Sequence, residues 1–380
     1  MTYEFLQHYW WFLVSLLGAI LVFLLFVQGA NSLLFSVGHT DNERRLLINS
    51  TGRKWEFTFT TLVVFGGAFF ASFPLFYSTS FGGAYWLWIV ILLSFVVQAV
   101  SYEFQNKLGN YLGARAFQMC LVFNGIVGPL LLGGAVATFF NGSNFLVGKD
   151  NIISGFYPTI SIWANESHGL DALLDLWNII LGVAVVLLAQ CLGLLYYINN
   201  VGDENIRTRS SKLLLKRAVL FVWLFVAFLI HVLFKDGYAV TPEGVVEIEP
   251  MKYLHNLLDM WYLLILLLAG IVLVLYGFVR TILNRAYTCG IWFSGIGVVI
   301  TVLVLFLIAG WNNTAYYPSN ADLQSSLTLA NSCSSEFTLR TMAVVSLLIP
   351  FVLAYIVYAW RKIDSREITY EEIEKDKEAY

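Results

Sequence analysis

Charge is scarce in this sequence. Only 12% of its 380 residues are Asp, Glu, Lys or Arg, where an ordinary soluble domain carries about a quarter. That supply cannot cover the water-facing surface of a soluble globular protein. With a net charge of −3, nothing supports nucleic-acid binding. Cysteine is equally sparse. Cys120, Cys191, Cys289 and Cys333 stand apart, with no CxxC or Cys/His spacing of a zinc or iron–sulfur site. The first three lie in or beside apolar runs, where cysteine acts as a small hydrophobe. The five histidines, His8, His39, His168, His231 and His255, fall in loops or near the margins of apolar runs. A haem needs axial His, Met or Cys deep in a bundle, so the chain is expected to bind no haem and no metal itself. No nucleotide-binding loop, nucleophile elbow or zinc-protease motif is present. Charges inside the apolar runs are too few for a voltage sensor.

What is abundant is apolar surface. The chain is 58% hydrophobic and 16% aromatic, with a mean hydropathy of +0.72. Several runs exceed the ~18 residues that mark a membrane-spanning helix. The expected fold is an all-α polytopic membrane protein, a single integral membrane domain over residues 1–380 with a short tail at 361–380. About nine spans are expected, at 10–35, 57–77, 84–100, 117–140, 172–198, 213–234, 257–279, 287–310 and 341–360. The N-terminus has no basic n-region and no small-residue cleavage site, so the first run is expected to stay as a helix. The alternate loops then divide by charge. One set holds Arg44, Arg53, Lys107, Arg207, Arg280 and Arg361 with their basic neighbours; the other holds only Lys149, Lys235, Lys252 and Arg340. Positive loops stay cytoplasmic. The N-terminus is therefore expected to be periplasmic, the C-terminus cytoplasmic and the number of spans odd. Tryptophans such as Trp10, Trp11, Trp86, Trp88, Trp261 and Trp311 lie near span ends, as an interfacial belt requires. The tail is alternately charged, and Glu371-Glu372-Ile373-Glu374-Lys375 favours a short solvated helix.

The most informative stretch is 43–103. A basic, polar segment reads as a loop and ends in Trp55-Glu56; two apolar runs follow, and the second ends in Tyr102-Glu103. If the runs form a membrane hairpin, Glu56 and Glu103 end on the same side. The bland reading of Glu56 is a carboxylate favoured by a helix N-terminus. The bland reading of Glu103 is a loop charge paired with Lys107 one turn on. The sharper reading is a proton entry point, since carboxylates lining an intramembrane cavity relay protons. Amides within spans, Gln28, Asn31, Gln98, Asn124, Asn178 and Gln190, are expected to hydrogen-bond between helices. Asp259 reads as a cap, a pair for Lys252 or a functional acid. A secondary transporter would show paired, interrupted spans, and none is evident; a structural membrane scaffold remains open.

At these residues the chain resembles subunit II of the cytochrome bd quinol oxidases. The match is carried by Glu43-Arg44-Arg45 with Ile48-Asn49-Ser50, then Trp55 and an acid. Gly66-Gly67-Ala68 with Ala71, Pro74 and Tyr77 follows, and the likeness runs from the first helix to the tail. The resemblance implies a haem-free subunit of a quinol:oxygen oxidoreductase in the bacterial inner membrane. Its partner, subunit I, would carry haem b and haem d and oxidise quinol. Some family members bind a structural quinone in subunit II or route oxygen through it. Whether the quinol is ubiquinol or menaquinol, and whether a small accessory subunit is present, stays open. The resemblance also places Glu56 and Glu103, with Trp55 beside the first, on a proton path from the cytoplasm towards the haems. Two departures stand out. The family commonly has aspartates where Glu56 and Glu103 stand. Where its first helix often ends in an Asp-Gly-Phe-Asp-like run, Gln28-Gly29-Ala30-Asn31 stands here, and Gln98 replaces a frequent arginine.

Overall fold

A computed structural model describes residues 2–107, 110–148, 160–284, 286–364 and 367–371. Among them nine helices are long and apolar enough to cross a membrane: Tyr3–Ser32, Asp41–Ser72, Tyr85–Phe104, Ala114–Asn141, Leu176–Asn200, Glu204–Phe234, Trp261–Leu283, Gly290–Gly310 and Glu336–Ile363. These are called the first to ninth spans below. The expected nine-span, all-helical membrane architecture is therefore what the chain adopts.

Several boundaries move for local reasons. The stretch expected as a basic loop is a helix, Asp41–Gly52. Thr40 caps it reciprocally with Glu43, each side chain accepting from the other residue's backbone N–H. The sixth span starts at Glu204 rather than near 213, because Asp203 accepts from the Ile206 N–H and caps a polar first turn. Asp259 lies outside the seventh span. It ends a separate helix, Lys252–Asp259, and accepts from Asn312 Nδ2 at 3.0 Å. Lys252 pairs instead with Glu249, at 3.0 Å. The ninth span runs on to Ile363. Residues 372–380, and with them most of the expected tail helix, lie outside the described residues.

The connections gather at two ends of the bundle. At one end Ser143 bridges Ser319 and Ala239 bridges Thr314, and two antiparallel hairpins form, Phe145–Val147 with Ser161–Trp163 and Gly237–Val240 with Val246–Glu249. At the other, Val201 bridges Ile368, and Lys54 meets Asp364. This second end collects the loops rich in Lys and Arg, and is called the basic end here.

The fifth span is the hub, packing on the fourth and sixth spans, on the eighth, and on the last turns of the first. Close approach there depends on missing side chains. A Cβ at Gly29 would fall 1.9 Å from the Ala189 backbone, and one at Gly125 would fall 2.4 Å from the Gln28 carbonyl oxygen. Without a hydrophobic force between helices in lipid, such backbone contact is what holds spans together. It also seals the Gln28–Asn31 segment inside the protein. Towards the opposite end the core is aromatic: Trp11 lies among Phe69, Phe73, Phe139 and Tyr316, and its indole N–H donates to Phe306 O at 3.0 Å. Trp10 donates likewise to Leu339 O, and Trp88 stacks on Phe81. These three are core residues rather than belt anchors, because each is buried against aromatic neighbours or a carbonyl. Trp86 and Trp261 are exposed, as are Trp223 and Trp292.

Candidate functional site at the basic end

Helix Asp41–Gly52 breaks at Arg53–Lys54, and the chain re-enters helix at Trp55. Trp55 is buried and stacks on Tyr102 of the third span, with centroids 6.0 Å apart and planes 15° from parallel. One turn on, Phe59 stacks on Phe95, also at 6.0 Å. These two stacks join the second and third spans as an antiparallel pair and place Glu56 and Glu103 at the same end, each next to a member of the outer stack. Both acids are exposed on the isolated chain, and neither makes a hydrogen bond or ion pair among the described residues; Lys107 does not pair with Glu103. Glu56 heads an exposed stripe through Thr60, Val63, Val64 and Phe70. Glu103 ends a matching one through Ile89, Leu93, Val96 and Val100. Each acid thus sits at the head of an apolar flank that the bundle leaves uncovered.

Behind the stack lies a buried polar cluster. The Tyr102 hydroxyl is 2.9 Å from both Thr51 Oγ1 and Asn31 Oδ1, and Thr51 donates to Asn31 Oδ1 at 3.0 Å. Gln28 Nε2 donates to Gln98 Oε1 at 3.0 Å. Two of the residues that depart from the resemblance, Gln28 and Gln98, therefore face one another, and the contact between them carries no charge. The remaining amides act as expected between helices: Asn124 donates to Ser94 Oγ, Gln190 to Ser32 Oγ, and Asn178 Oδ1 accepts from Asn141.

Sequence reasoning missed the anchor beside this cluster. The Lys54 side chain is wholly buried; its Nζ lies 3.0 Å from Asp364 Oδ1 and 4.3 Å from the Trp360 ring centre. Asn200 Nδ2 donates to the same carboxylate at 3.2 Å, and Ser50 Oγ donates to Asn200 Oδ1 at 2.6 Å. Arg207 holds Glu367 at 2.6 Å, and Arg209 pairs with Glu43. The tail is thereby stitched across the basic end. The only sequence signal was a lysine set directly before Trp55 and an aspartate just past the last helical turn.

Other titratable groups sit at the opposite end. Burial would raise the Asp171 carboxyl, but donors from Ser167, Asn165 and Asn144 outweigh it and hold the group below its usual range. Burial pushes Lys235 down to about 8 against the pull of Asp175 and Asp236, while its Nζ donates to Phe140 O at 2.6 Å. No histidine side chain is buried. His231 stacks on Trp177, His255 meets Glu249, and His168 lies against Gly83 O. Among the described residues no group of three or more His, Cys, Asp or Glu could hold a metal.

Fold and site define a class: a polytopic helical membrane protein with a hydrogen-bonded basic end and two unpaired carboxyls on its uncovered flanks. The family model for cytochrome bd terminal oxidase subunit II matches residues 6–363, and the chain belongs to that family. It is 27% identical to the cytochrome bd-I ubiquinol oxidase subunit 2 of Escherichia coli strain K12, over 98% of each chain. It is 26% identical to the cytochrome bd ubiquinol oxidase subunit 2 of Bacillus subtilis strain 168, covering 96% of this chain and 99% of that one. Its fold is also similar to a chain in the structure of bd oxidase from Geobacillus thermodenitrificans, with a TM-score of 0.59 at 11% identity, over 94% of this chain and 96% of that one.

Proposed function

We propose that this chain works as one membrane domain, the haem-free subunit II of a quinol:oxygen oxidoreductase in a bacterial inner membrane, beside a subunit I that holds haems b and d. In this reading the basic end faces the cytoplasm, which the positive loops favour, so the N-terminus is periplasmic. Glu56 and Glu103 then take protons from the cytoplasm and pass them along the subunit boundary towards the partner. The observation that carries the reading is their shared placement. The Trp55–Tyr102 stack sets both acids at one end, unpaired and exposed, on apolar flanks that a partner would cover. Once a partner covers these flanks, both carboxyls line the joint surface, with no ion pair on either among the described residues. The buried cluster at Gln28, Asn31 and Gln98 cannot pass protons on, since an amide releases no proton near neutral pH; it holds the helices together.

Two measurements test this. The purified chain alone is expected to show no visible haem absorption, while the co-expressed two-subunit enzyme shows it; a haem spectrum from the isolated chain would reject the subunit reading. Glu56→Gln and Glu103→Gln are expected to slow quinol-driven oxygen consumption by the assembled enzyme several-fold with the haem spectrum unchanged. Full turnover with both acids neutralised would leave a structural scaffold.

A further inference from the structure

Beside the Lys54–Asp364 anchor, between the ninth span and the body of the bundle, lies a cavity of about 730 Å³. That is within the roughly 300–1,000 Å³ of ligand pockets. No residue of Ile349–Ile363 is buried; the last helix meets the bundle here through Trp360, which packs on Phe23, Phe57 and Trp292, and leaves the space beside that contact open. The walls grade in polarity along the helix axis. Leu353, Ile356 and Val357 of the ninth span, with Ile20 and Leu24 of the first, line the apolar part. Trp360 follows, then Arg361, Asp364 and Glu367 with Asn199 and Asn200 at the basic end. From Leu353 to Arg361 the helix rises by ~12 Å, the order of a change from acyl-chain depth to headgroup depth.

The charges at the polar end do not cancel. Lys54 compensates Asp364 and Arg207 compensates Glu367. Arg361 is exposed and makes no ion pair or hydrogen bond among the described residues. Among the described residues that line the rim, Arg361 is the cation left over.

We infer that the cavity binds a glycerophospholipid with an anionic headgroup, one acyl chain lying along Leu353, Ile356 and Val357 of the ninth span and the phosphate paired with Arg361. A quinone would fill the apolar part and leave the cation unanswered. A zwitterionic lipid brings its own positive charge to the rim, whereas an anionic one gains from a basic site near the surface. The bound chain supplies the packing that the ninth span lacks and steadies the Lys54–Asp364 anchor.

The test is native mass spectrometry of the assembled enzyme, delipidated in detergent and then offered phosphatidylglycerol or phosphatidylcholine. The wild-type enzyme is expected to retain phosphatidylglycerol in preference. Arg361→Glu is expected to lower that retention several-fold and leave phosphatidylcholine unchanged. Val357→Trp, which fills the cavity, is expected to lower both, with the haem spectrum reporting that the variants assemble. Arg361 is exposed, so its variant decides the matter even where the filled one does not fold. Equal retention of the two lipids unaffected by Arg361→Glu, or a quinone displaced by Val357→Trp, would overturn the assignment.

Discussion

The Lys54 side chain is wholly buried and rests on Asp364, which Asn200 also holds, and on the Trp360 face. Breaking one side of a buried pair strands the other charge, at a cost of about 3–5 kcal/mol, whereas replacing both can be nearly neutral. Lys54→Met is therefore expected to lower the melting temperature of the assembled enzyme sharply, and Lys54→Met with Asp364→Leu to recover part of the loss. Additive losses would show that the two residues do not act as a pair. Lys235 gives a pH signature of the opposite kind. Its folded pKa is lowered, from 10.5 to about 8, by burial. Across that window the unfolded chain keeps a proton that the folded one has given up, so stability rises with pH there. Lys235→Met is expected to flatten the rise, measured as melting temperature against pH; an unchanged profile would place Lys235 in water.

At the scale of elements, the first and fifth spans meet through absent side chains. A Cβ at Gly29 would overlap the Ala189 backbone, which cannot move without shifting the hub. Gly29→Val is expected to prevent assembly or cut enzyme yield severely. Gly67, where a Cβ would meet nothing within 4 Å, should accept Ala without loss of folding; an assembled Gly29→Val enzyme of normal stability would refute this account of the contact. The sequence distinguished neither glycine from the other, because a run of small residues says that helices approach and not which residue faces the neighbour. Span number and alternation were legible, since both follow from hydropathy and loop charge. The helix at Asp41–Gly52 was not, because its mean hydropathy is low and its only mark was the Thr40/Glu43 cap. The same limit applies to the site. That Glu56 and Glu103 share one end was legible from their places at the ends of two consecutive apolar runs, but the Trp55–Tyr102 stack and the Lys54–Asp364 pair join residues far apart in the chain, and no local pattern encodes them.

For the whole molecule, the arrangement of buried and unburied surface carries the functional argument. The fifth span is mostly enclosed, while the second and third keep exposed apolar flanks headed by Glu56 and Glu103. A chain meant to stand alone in lipid has no use for two unpaired carboxyls at the head of such flanks. A chain that docks against a sister subunit can use them as the wet margin of the joint surface. The interior amides fit the same division: the sealed pair Gln28 and Gln98 carries no charge, and the two carboxyls stand at the margin. The most direct measurement is quinol-driven oxygen consumption, with proton uptake followed in parallel, by the assembled enzyme carrying Glu56→Gln, Glu103→Gln or both. The account predicts slowed turnover and slowed proton uptake in each single variant, a larger loss in the double variant, and an unchanged haem spectrum. Wild-type turnover in the double variant would contradict it.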